Sequence, residues 1–207
     1  MEQLVQGSPE WFAARIGKVT ASRMADLTAK TKSGYGAGRA NYLSALVCER
    51  LTGVKEETYV NADMLWGQEK EAEARAAYEF LNGVTVDLVG FVDHPRIPMS
   101  GASPDGHIAE DGSLEIKCPK TATHIEFLLE QSIPQKYILQ IQWQLACSGR
   151  AWSDFVSYDP RMPEGLRMFK KRVPRDSALI PVLEKEVTAF LAELDETVSK
   201  LKAMMGE

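Results

Sequence analysis

The sequence has few cysteines and no long apolar run, and each shortage excludes a class of protein. Its 207 residues include only three cysteines, which are too few for a four-cysteine zinc or iron–sulfur site and cannot all pair as disulfides. No apolar stretch approaches the roughly 18–20 residues that cross a bilayer, and the start MEQLVQGSPEW lacks the layout of a signal peptide. We therefore expect reduced thiols in the core and a cytoplasmic protein with no membrane partner.

The chain also lacks internal repeats, a zinc-type histidine pair and a nucleotide-binding loop. Its glycine-rich segment 30–39 does not have the GxxxxGK order of a P-loop and follows no predicted strand. That segment is either a basic loop that touches a phosphate backbone or a plain surface loop. What is present, 44% hydrophobic and 26% charged residues, is typical of one globular domain.

Charge is unevenly distributed along the chain. The net charge is −5, yet residues 1–55 carry +4, residues 56–116 carry −10, residues 117–175 carry +5 and residues 176–207 carry −4. An acidic block between two basic blocks is the pattern expected of a protein that gathers divalent cations beside a polyanion. Chance clustering on solvated faces would produce the same counts, so both interpretations stay open.

Hydrophobic periodicity predicts helices towards both ends of the chain and most of the strands between them. The expected helices cover 39–52, 62–82, 121–131, 134–148 and 176–205, and the expected strands cover 85–92, 106–109, 113–118, 151–158 and 166–173. This order predicts an α/β fold in which helices flank a mixed central sheet. The single domain, 1–207, then has an N-terminal helical region (1–83), a sheet-bearing core (84–175) and a C-terminal helix (176–205).

The residues most indicative of chemistry lie in a Ser-Pro-Asp-Gly turn and in the strand that follows it. Alternate side chains of a strand share a face, so Glu115 and Lys117 are expected together at one surface. A hairpin of this length brings Asp105 of the turn back beside Glu115. Two adjacent carboxylates repel each other unless they are protonated or bridged by a cation, and Mg²⁺ prefers oxygen ligands. The pattern indicates metal-assisted phosphodiester hydrolysis, although a plain turn and a solvated strand face would have the same pattern.

Two predicted helices offer further polar side chains to such a site. Glu71 is a candidate third carboxylate, or else the partner of Arg75 in an ordinary ion pair four residues apart. Lys136, Gln140 and Gln144 form a polar ridge opposite an apolar stripe. That ridge is either solvated or lines the place of a scissile phosphate or water.

Six motifs follow one another along the chain in a specific order. They are W-x-x-x-R-x-G-x-V-T-A-S from Trp11, W-G from Trp66 with Glu71 after it, S-P-D-G from Ser103, L-E-I-K-C-P from Leu114, Q-I-Q from Gln140 and Y-D-P-R-M from Tyr158. Each is common alone, whereas the ordered set is not. In this set the sequence resembles the phage lambda-type recombination exonucleases, a branch of the PD-(D/E)xK nuclease superfamily with the restriction-endonuclease-like fold.

The resemblance implies a homotrimeric ring that acts on linear double-stranded DNA with a 5′-phosphate end. Such an enzyme degrades one strand from 5′ to 3′, processively, and leaves a 3′ overhang. The implied cofactor is Mg²⁺, with Mn²⁺ as a substitute and two ions per site. The implied partner is a phage-type single-strand annealing protein in a bacterial cytoplasm.

The resemblance also implies roles for particular residues near the metal. The metal ligands would be Asp105, Glu115 and the backbone carbonyl of Ile116. The assisting residues would be Lys117, which orients or deprotonates the water, Glu71, which supports the metals directly or indirectly, and Gln140.

A second group of residues is implied to contact the DNA. The 5′-phosphate would be received by Arg15, Ser22 and Ser103, and the physics agrees, because a guanidinium fork and a hydroxyl near a helix start suit a phosphate. Arg15 and Ser22 would also serve as ordinary helix caps. The remaining DNA contacts would be Tyr137, Lys32, which stands where the family has an arginine, and Met64, which aligns with a strand-separating leucine.

Two other functions remain open from the sequence. One is a related nuclease that cuts internal sites or single strands in DNA repair. The other is a DNA-binding protein that has lost catalysis. The latter would lack Asp105, Glu115 or Lys117, and all three are present.

Overall fold

The computed structural model describes residues 5–32, 34–55 and 62–206. The helices in these ranges are α1 (Pro9–Arg15), α2 (Met24–Thr28), α3 (Ala37–Thr52), α4 (Ala62–Asn82), α5 (Thr121–Glu130), α6 (Gln135–Ser148) and α7 (Leu179–Met205). Ser8 caps α1 by accepting a hydrogen bond from the backbone of Trp11. Left-handed glycines cap three of these helices at their C-terminal ends, Gly53 after α3, Gly149 after α6 and Gly206 after α7.

The described strands form a main sheet, a smaller sheet and a hairpin. They are β1 (Val19–Thr20), β2 (Lys30–Thr31), β3 (Gly34–Tyr35), β4 (Val86–Asp87), β5 (Val92–Asp93), β6 (Ser100–Ala102), β7 (Gly106–Ile108), β8 (Gly112–Lys117), β9 (Trp152–Tyr158) and β10 (Met168–Pro174). The main sheet has the order β10–β9–β8–β7–β4, with β8 and β9 parallel and its other pairs antiparallel. The smaller sheet is β1–β6–β5, and β2 pairs with β3.

Strand β8 lies in the middle of the main sheet and is covered on both faces. Leu114 and Ile116 pack with Tyr78 of α4 in one core cluster. Glu115 is aligned with Phe155 of β9, and Phe155 packs against α6 on the opposite face. Because α6 covers that face, Glu115 has no exposed surface, which corrects the expectation of a surface carboxylate.

The terminal helix α7 packs its apolar stripe against α2, α3 and α6 in a separate core cluster. Its buried members are Leu183, Val187, Phe190, Leu191 and Leu194, with Ile180 near its start. The helix begins three residues later than predicted, after a turn in which Asp176 Oδ1 accepts hydrogen bonds from the backbone N–H groups of Ala178 and Leu179 at 2.9 Å each.

The predicted strand over 85–92 is wrong, because two strands in different sheets occupy this region. Strand β4 pairs with β7 in the main sheet, and β5, which extends to Asp93, pairs with β6 in the smaller one. The chain crosses between the sheets beside Phe91, whose ring lies so close to Gly101 that a Cβ there would meet it at 2.4 Å. The N-terminal region, residues 1–83, is not wholly helical either, since it contains β1, β2 and β3.

The cysteines are expected to be reduced thiols in the core, and no membrane-spanning segment is expected. All three cysteines are free, with Cys118 and Cys147 buried as expected, but Cys48 is exposed on α3. In the described ranges, none of the helices is both long and apolar enough to span a membrane.

Candidate active site

The hairpin from β7 to β8 brings Asp105 back beside Glu115, as its length predicts. The backbone N–H of Asp105 donates to the carbonyl of Leu114 at 3.1 Å, and Asp105 Oδ2 accepts from the N–H of Ile116 at 2.6 Å. The residue after Asp105 is a glycine because β4 passes close by: a Cβ at position 106 would meet Val86 Cγ1 at 2.1 Å. The Asp105 carboxylate is therefore fixed on the backbone of the strand that carries Glu115.

Glu115 is buried and fully hydrogen-bonded by α6. Gln140 Nε2 donates to its Oε1 and Gln144 Nε2 to its Oε2, each at 2.6 Å. The Lys117 ammonium forms an ion pair with Glu115 Oε1. A buried polar side chain is costly unless it is paired and hydrogen-bonded, and these three partners supply both kinds of contact to Glu115.

Glu71 of α4 approaches the same carboxylates from the other side. Its Oε1 lies 3.7 Å from Arg75 Nη1, so the ion pair expected from the sequence is present. Glu71 and Asp105 also line one pocket of about 270 Å³ together with Arg75 and Gln6. The Gln6 amide donates to the carbonyl of Pro104 at 2.8 Å and so holds the turn before Asp105.

The electrostatics of this pocket reflect crowded carboxylates. Burial raises the pKa of Asp105 well above its ordinary value, and the charges of Glu115 and Glu71 raise it further. Burial raises the pKa of Glu71; Arg75 opposes the rise and Glu115 adds to it. Burial lowers the pKa of Lys117, but the charges of Glu115 and Asp105 outweigh it and raise that pKa overall.

The oxygen ligands around Asp105 fit a divalent cation such as Mg²⁺, which needs few protein ligands. A site of three or more His, Cys, Asp or Glu ligands is not present among the described residues, but Mg²⁺ does not require one. Mg²⁺ is commonly bound through one or two carboxylates and keeps several waters, which Asp105, Glu115 and the carbonyl of Ile116 match. A cation there would also relieve the repulsion that raises the pKa of Asp105 and Glu71.

A second pocket, of about 280 Å³, contains most of the residues expected at the 5′ end. It is lined by Arg15, Ser22 and Met64, together with the basic side chains Lys18, Arg23 and Lys55. Ser22 Oγ lies 3.5 Å from Thr20 Oγ1. Four cations around one cavity favour an anionic ligand such as a phosphate.

Ser103 contacts a residue of the cationic pocket, Arg15, and stands two residues before Asp105 of the carboxylate pocket. Its Oγ accepts hydrogen bonds from Trp11 Nε1 at 2.9 Å and from Arg15 Nη1 at 3.3 Å. The Arg15 guanidinium stacks on the Trp11 ring at 3.9 Å from its centroid, and burial lowers its pKa, although an arginine stays charged. With both acceptor positions of Ser103 in use, its own hydrogen is left to donate to a ligand.

The three residues expected to grip DNA lie in different places. Tyr137 is beside Lys117, whose Nζ lies 5.5 Å from its ring centroid. Met64 is in the Arg15 pocket. Lys32 is exposed next to the turn of the β2–β3 hairpin, and neither pocket has it among its described lining residues.

Two residues of this region have no specific role predicted from the sequence. Gln144 was visible on the polar ridge, four residues after Gln140, but only the packing of α6 on β8 shows that both reach Glu115. Trp11 stands four residues before Arg15, a spacing that places them on one helix face, and it belongs to the first motif. The four-residue spacing from Arg15 is the signal from which a role for Trp11 could have been predicted.

Comparisons with known proteins identify a family and a shared fold. Residues 10–151 match the YqaJ-like viral recombinase domain. The alkaline exonuclease LHK-Exo of Laribacter hongkongensis is 50% identical, with a TM-score of 0.90 over 96% of this chain and 98% of that one, and its structure in complex with dAMP matches equally well. A phage related exonuclease from Haemophilus somnus 129PT, at 15% identity and a TM-score of 0.74 over 89% of this chain and 96% of that one, shares the fold. No curated protein matches the chain significantly.

These matches confirm the predicted fold class, an α/β restriction-endonuclease-like core, and the predicted resemblance to phage-type recombination exonucleases. The family match spans well over half of the chain, and LHK-Exo covers nearly all of it. The chain belongs to the YqaJ-like viral recombinase family.

Proposed function

We propose that this protein is a Mg²⁺-dependent exonuclease that degrades one strand of linear duplex DNA from its 5′-phosphate end. It works processively as a homotrimeric ring in a bacterial cytoplasm and leaves a 3′ overhang for a phage-type single-strand annealing protein. Mn²⁺ would replace Mg²⁺, and each site would take two ions. The observation that carries the proposal is the hydrogen bond from Arg15 to Ser103, because it connects a pocket lined by four cations to the turn that carries Asp105, which lines a second pocket with Glu71.

An exonuclease must recognise a strand end and cut at a fixed distance from it. The cationic pocket offers the end recognition, because a terminal phosphate carries more negative charge than an internal one, and Arg15 presents a planar fork to it. The turn from Ser103 to Asp105 is three residues long, and hydrogen bonds hold both of its ends. LHK-Exo is an alkaline exonuclease that forms a complex with dAMP, which supports a nucleotide as a ligand of this protein.

The chemistry would take place at the carboxylates. A bound divalent cation would supply a water of lowered pKa and charge stabilisation at the leaving oxygen. Asp105 and Glu115 would hold it, with the Ile116 carbonyl and, directly or indirectly, Glu71. Gln140 and Gln144 keep Glu115 in place through one hydrogen bond to each of its oxygens.

Lys117 is the residue best placed to meet the attacking water and the scissile phosphate. Its ammonium is anchored on Glu115 and remains partly exposed, with a side-chain exposure of 29%. A cation at that position orients water and stabilises charge that develops on the phosphate. Tyr137 packs beside it and limits its movement.

The polarity and substrate form are tested with labelled DNA. We expect a 5′-phosphorylated linear duplex with Mg²⁺ to release mononucleotides from the 5′ label first, while a covalently closed circle survives. Chelation should stop the reaction, and Mn²⁺ should restore it. Linearised circles would instead favour the endonuclease alternative, and release of the 3′ label first would overturn the polarity.

The role of Lys117 is tested by Lys117→Ala. We expect turnover to fall by about 10²–10⁴-fold, the range for loss of a positioned proton-transfer or charge-stabilising group, with duplex binding retained. Lys200→Ala is the matched control, because Lys200 is exposed on α7 and pairs with Glu196. Undiminished cleavage by Lys117→Ala, measured as initial rate per enzyme, would remove it from the mechanism.

A further inference from the structure

Gly67 lies on α4 between the two pockets. Met64, three residues earlier, lines the cationic pocket, and Glu71, four residues later, lines the carboxylate pocket. Residues three and four apart share a helix face, and four residues span about 6 Å of helix axis. The same face continues to Ala74 and Tyr78, which are buried against the main sheet. Gly67 therefore belongs to the inward face of α4 at the point where that face leaves the core.

Nothing in the described residues of the protein requires a glycine there. A Cβ added to Gly67 would meet no atom within 4 Å, in contrast to Gly106 and Gly112, where added atoms would meet neighbours at 2.1 Å and 2.3 Å. Gly67 is helical, so its backbone needs no left-handed conformation. Glycine inside a helix is less stable than alanine, so this position lowers stability without any packing benefit.

The residue before Gly67 is held by packing on the core and by an arginine stacked on its ring. Trp66 packs on the core cluster beneath α4, and the Arg161 guanidinium stacks on its ring at 4.5 Å from the centroid. Asp159 in turn holds Arg161, accepting from its Nε at 2.7 Å. Trp66 is thus held in place, and beside it no atom of the described residues lies within 4 Å of a Cβ at Gly67.

We propose that Gly67 keeps the path of the 5′-ended strand open between the cationic pocket and the carboxylates. The strand's sugar–phosphate backbone would pass directly over the helix backbone, an approach that glycine permits and any Cβ obstructs. Gly67 is then a positioning residue that sets how deeply the terminal nucleotide is seated. The inference rests on the proposed exonuclease function and extends it.

A size series at this position tests the inference. Gly67→Ala should raise the melting temperature by about 2–4 °C, as expected for removing one helix glycine from a domain of this size, while kcat/KM on 5′-phosphorylated duplex falls about tenfold. Gly67→Leu should lower kcat/KM by about 100-fold or more, since displacements near 1 Å are costly to catalysis. Duplex binding measured in EDTA should weaken in the same order.

The matched control is Gly165→Ala, because a Cβ at Gly165 also meets nothing within 4 Å of the described protein and this exposed turn is outside both pockets. Its rate should equal that of the wild type. If Gly67→Leu is as active as the wild type, the inference is overturned. A lower melting temperature in Gly67→Ala would also overturn it, because the glycine would then serve packing.

Failure of the exonuclease function and failure of the Gly67 role give different results. A wild-type protein that does not degrade linear duplex would end the exonuclease proposal, and the Gly67 inference with it. A wild type that degrades duplex, with Gly67 variants that match it, would end only the inference.

Discussion

Among single residues, Arg15 is the one whose environment most specifically suits a terminal phosphate. Its guanidinium is stacked on Trp11 and hydrogen-bonded to Ser103, so its orientation is fixed before any ligand arrives. A fixed fork loses little entropy on binding a phosphate. Specificity for the 5′ end should therefore depend on this side chain.

Arg15→Ala should abolish the preference for 5′-phosphoryl over 5′-hydroxyl ends. The expected loss is about 10–100-fold in kcat/KM on phosphorylated ends, the equivalent of one charge-assisted hydrogen bond, with little change on hydroxyl ends. Arg96→Ala is the control, because its side chain is 72% exposed and pairs with Glu184. Initial rates on the two substrates check this; a preference that persists would mean the pocket is misplaced.

Lys32 is a point charge next to a hairpin turn rather than a member of either pocket. Glu186 of α7 holds the hairpin, accepting from Lys30 Nζ at 2.7 Å and from the Tyr35 hydroxyl at 2.6 Å. The glycine-rich segment 30–39 is therefore neither wholly a loop nor loosely attached. Lys32 is carried on an anchored hairpin, which suits contact with a phosphate backbone away from the cut.

Lys32→Ala should weaken duplex binding without changing the cleavage step. Loss of one phosphate contact lowers the slope of log affinity against log salt by about one, and kcat should stay near the wild-type value. Binding titrations at several salt concentrations measure the slope, with Lys200→Ala as the control. An unchanged slope would remove Lys32 from the DNA interface.

At the scale of elements, the β8 strand and the α6 helix could be predicted because their patterns are local. Alternation put Glu115 and Lys117 on one face, and a four-residue spacing put Gln140 and Gln144 on another. The sequence could not show that these two faces meet, because that depends on how α6 is placed on the sheet. Burial of Glu115 follows from that placement.

The short strands could not be predicted for a related reason. Strands β1 and β6 pair Val19 with Ser100 and Thr20 with Gly101, residues far apart in the chain. A strand that pairs over only two residues is too short to show an alternation of apolar and polar side chains, and its stability comes from the elements packed around it. The same holds for β4 and β5, because the segment 85–92 has the composition of one continuous strand.

The end of β9 is joined to α5 and α4 by Asp159. Its carboxylate has no exposed surface and accepts from Thr121 Oγ1 at 2.7 Å and from Arg161 Nε at 2.7 Å. Burial alone would raise the pKa of Asp159, but these hydrogen bonds outweigh it and lower that pKa to about 2. A lowered pKa in the folded state means that the ionised carboxylate stabilises the fold.

The contribution of Asp159 should therefore be present above about pH 4, the ordinary pKa of an aspartate, and be lost as the pH falls towards 2. Asp159→Asn should lower the free energy of unfolding at pH 7 by up to about 2 kcal/mol. The loss should be smaller than that to the extent that solvent screens the half-exposed Arg161. Urea unfolding at pH 7 and near pH 3 measures it. The difference from the wild type should narrow at the lower pH; a constant difference would contradict the pKa assignment.

At the scale of the whole molecule, two of the four charge blocks supply the charged residues of the two pockets. The acidic block 56–116 contains Glu71 and Asp105 of the carboxylate pocket, and the basic block 1–55 contains the cations of the other pocket, Arg15, Lys18, Arg23 and Lys55. A net charge of −5 is thus compatible with DNA binding, because the negative charge is concentrated where a cation would lie. Taken alone, the net charge argues only against a protein that coats nucleic acid over its whole surface.

One subunit of 23.0 kDa cannot enclose a DNA duplex. A folded chain of this length has a radius of gyration of about 17 Å, so surrounding a helix requires several copies. If the enzyme is a trimeric ring, light scattering should give about 69 kDa, three times 23.0 kDa. A single subunit mass at the concentration of the nuclease assay would contradict the ring.

The ring also predicts how the enzyme behaves when competing DNA is added. A closed ring around its substrate cannot exchange DNA without reaching an end, so excess unlabelled duplex added after the start should leave ongoing degradation of a long substrate unaffected. The same competitor added before the start should suppress it. If competitor added after the start stops degradation within a few nucleotides, the protein dissociates from DNA between cuts. A trimer found in solution would then have a role other than enclosing the DNA.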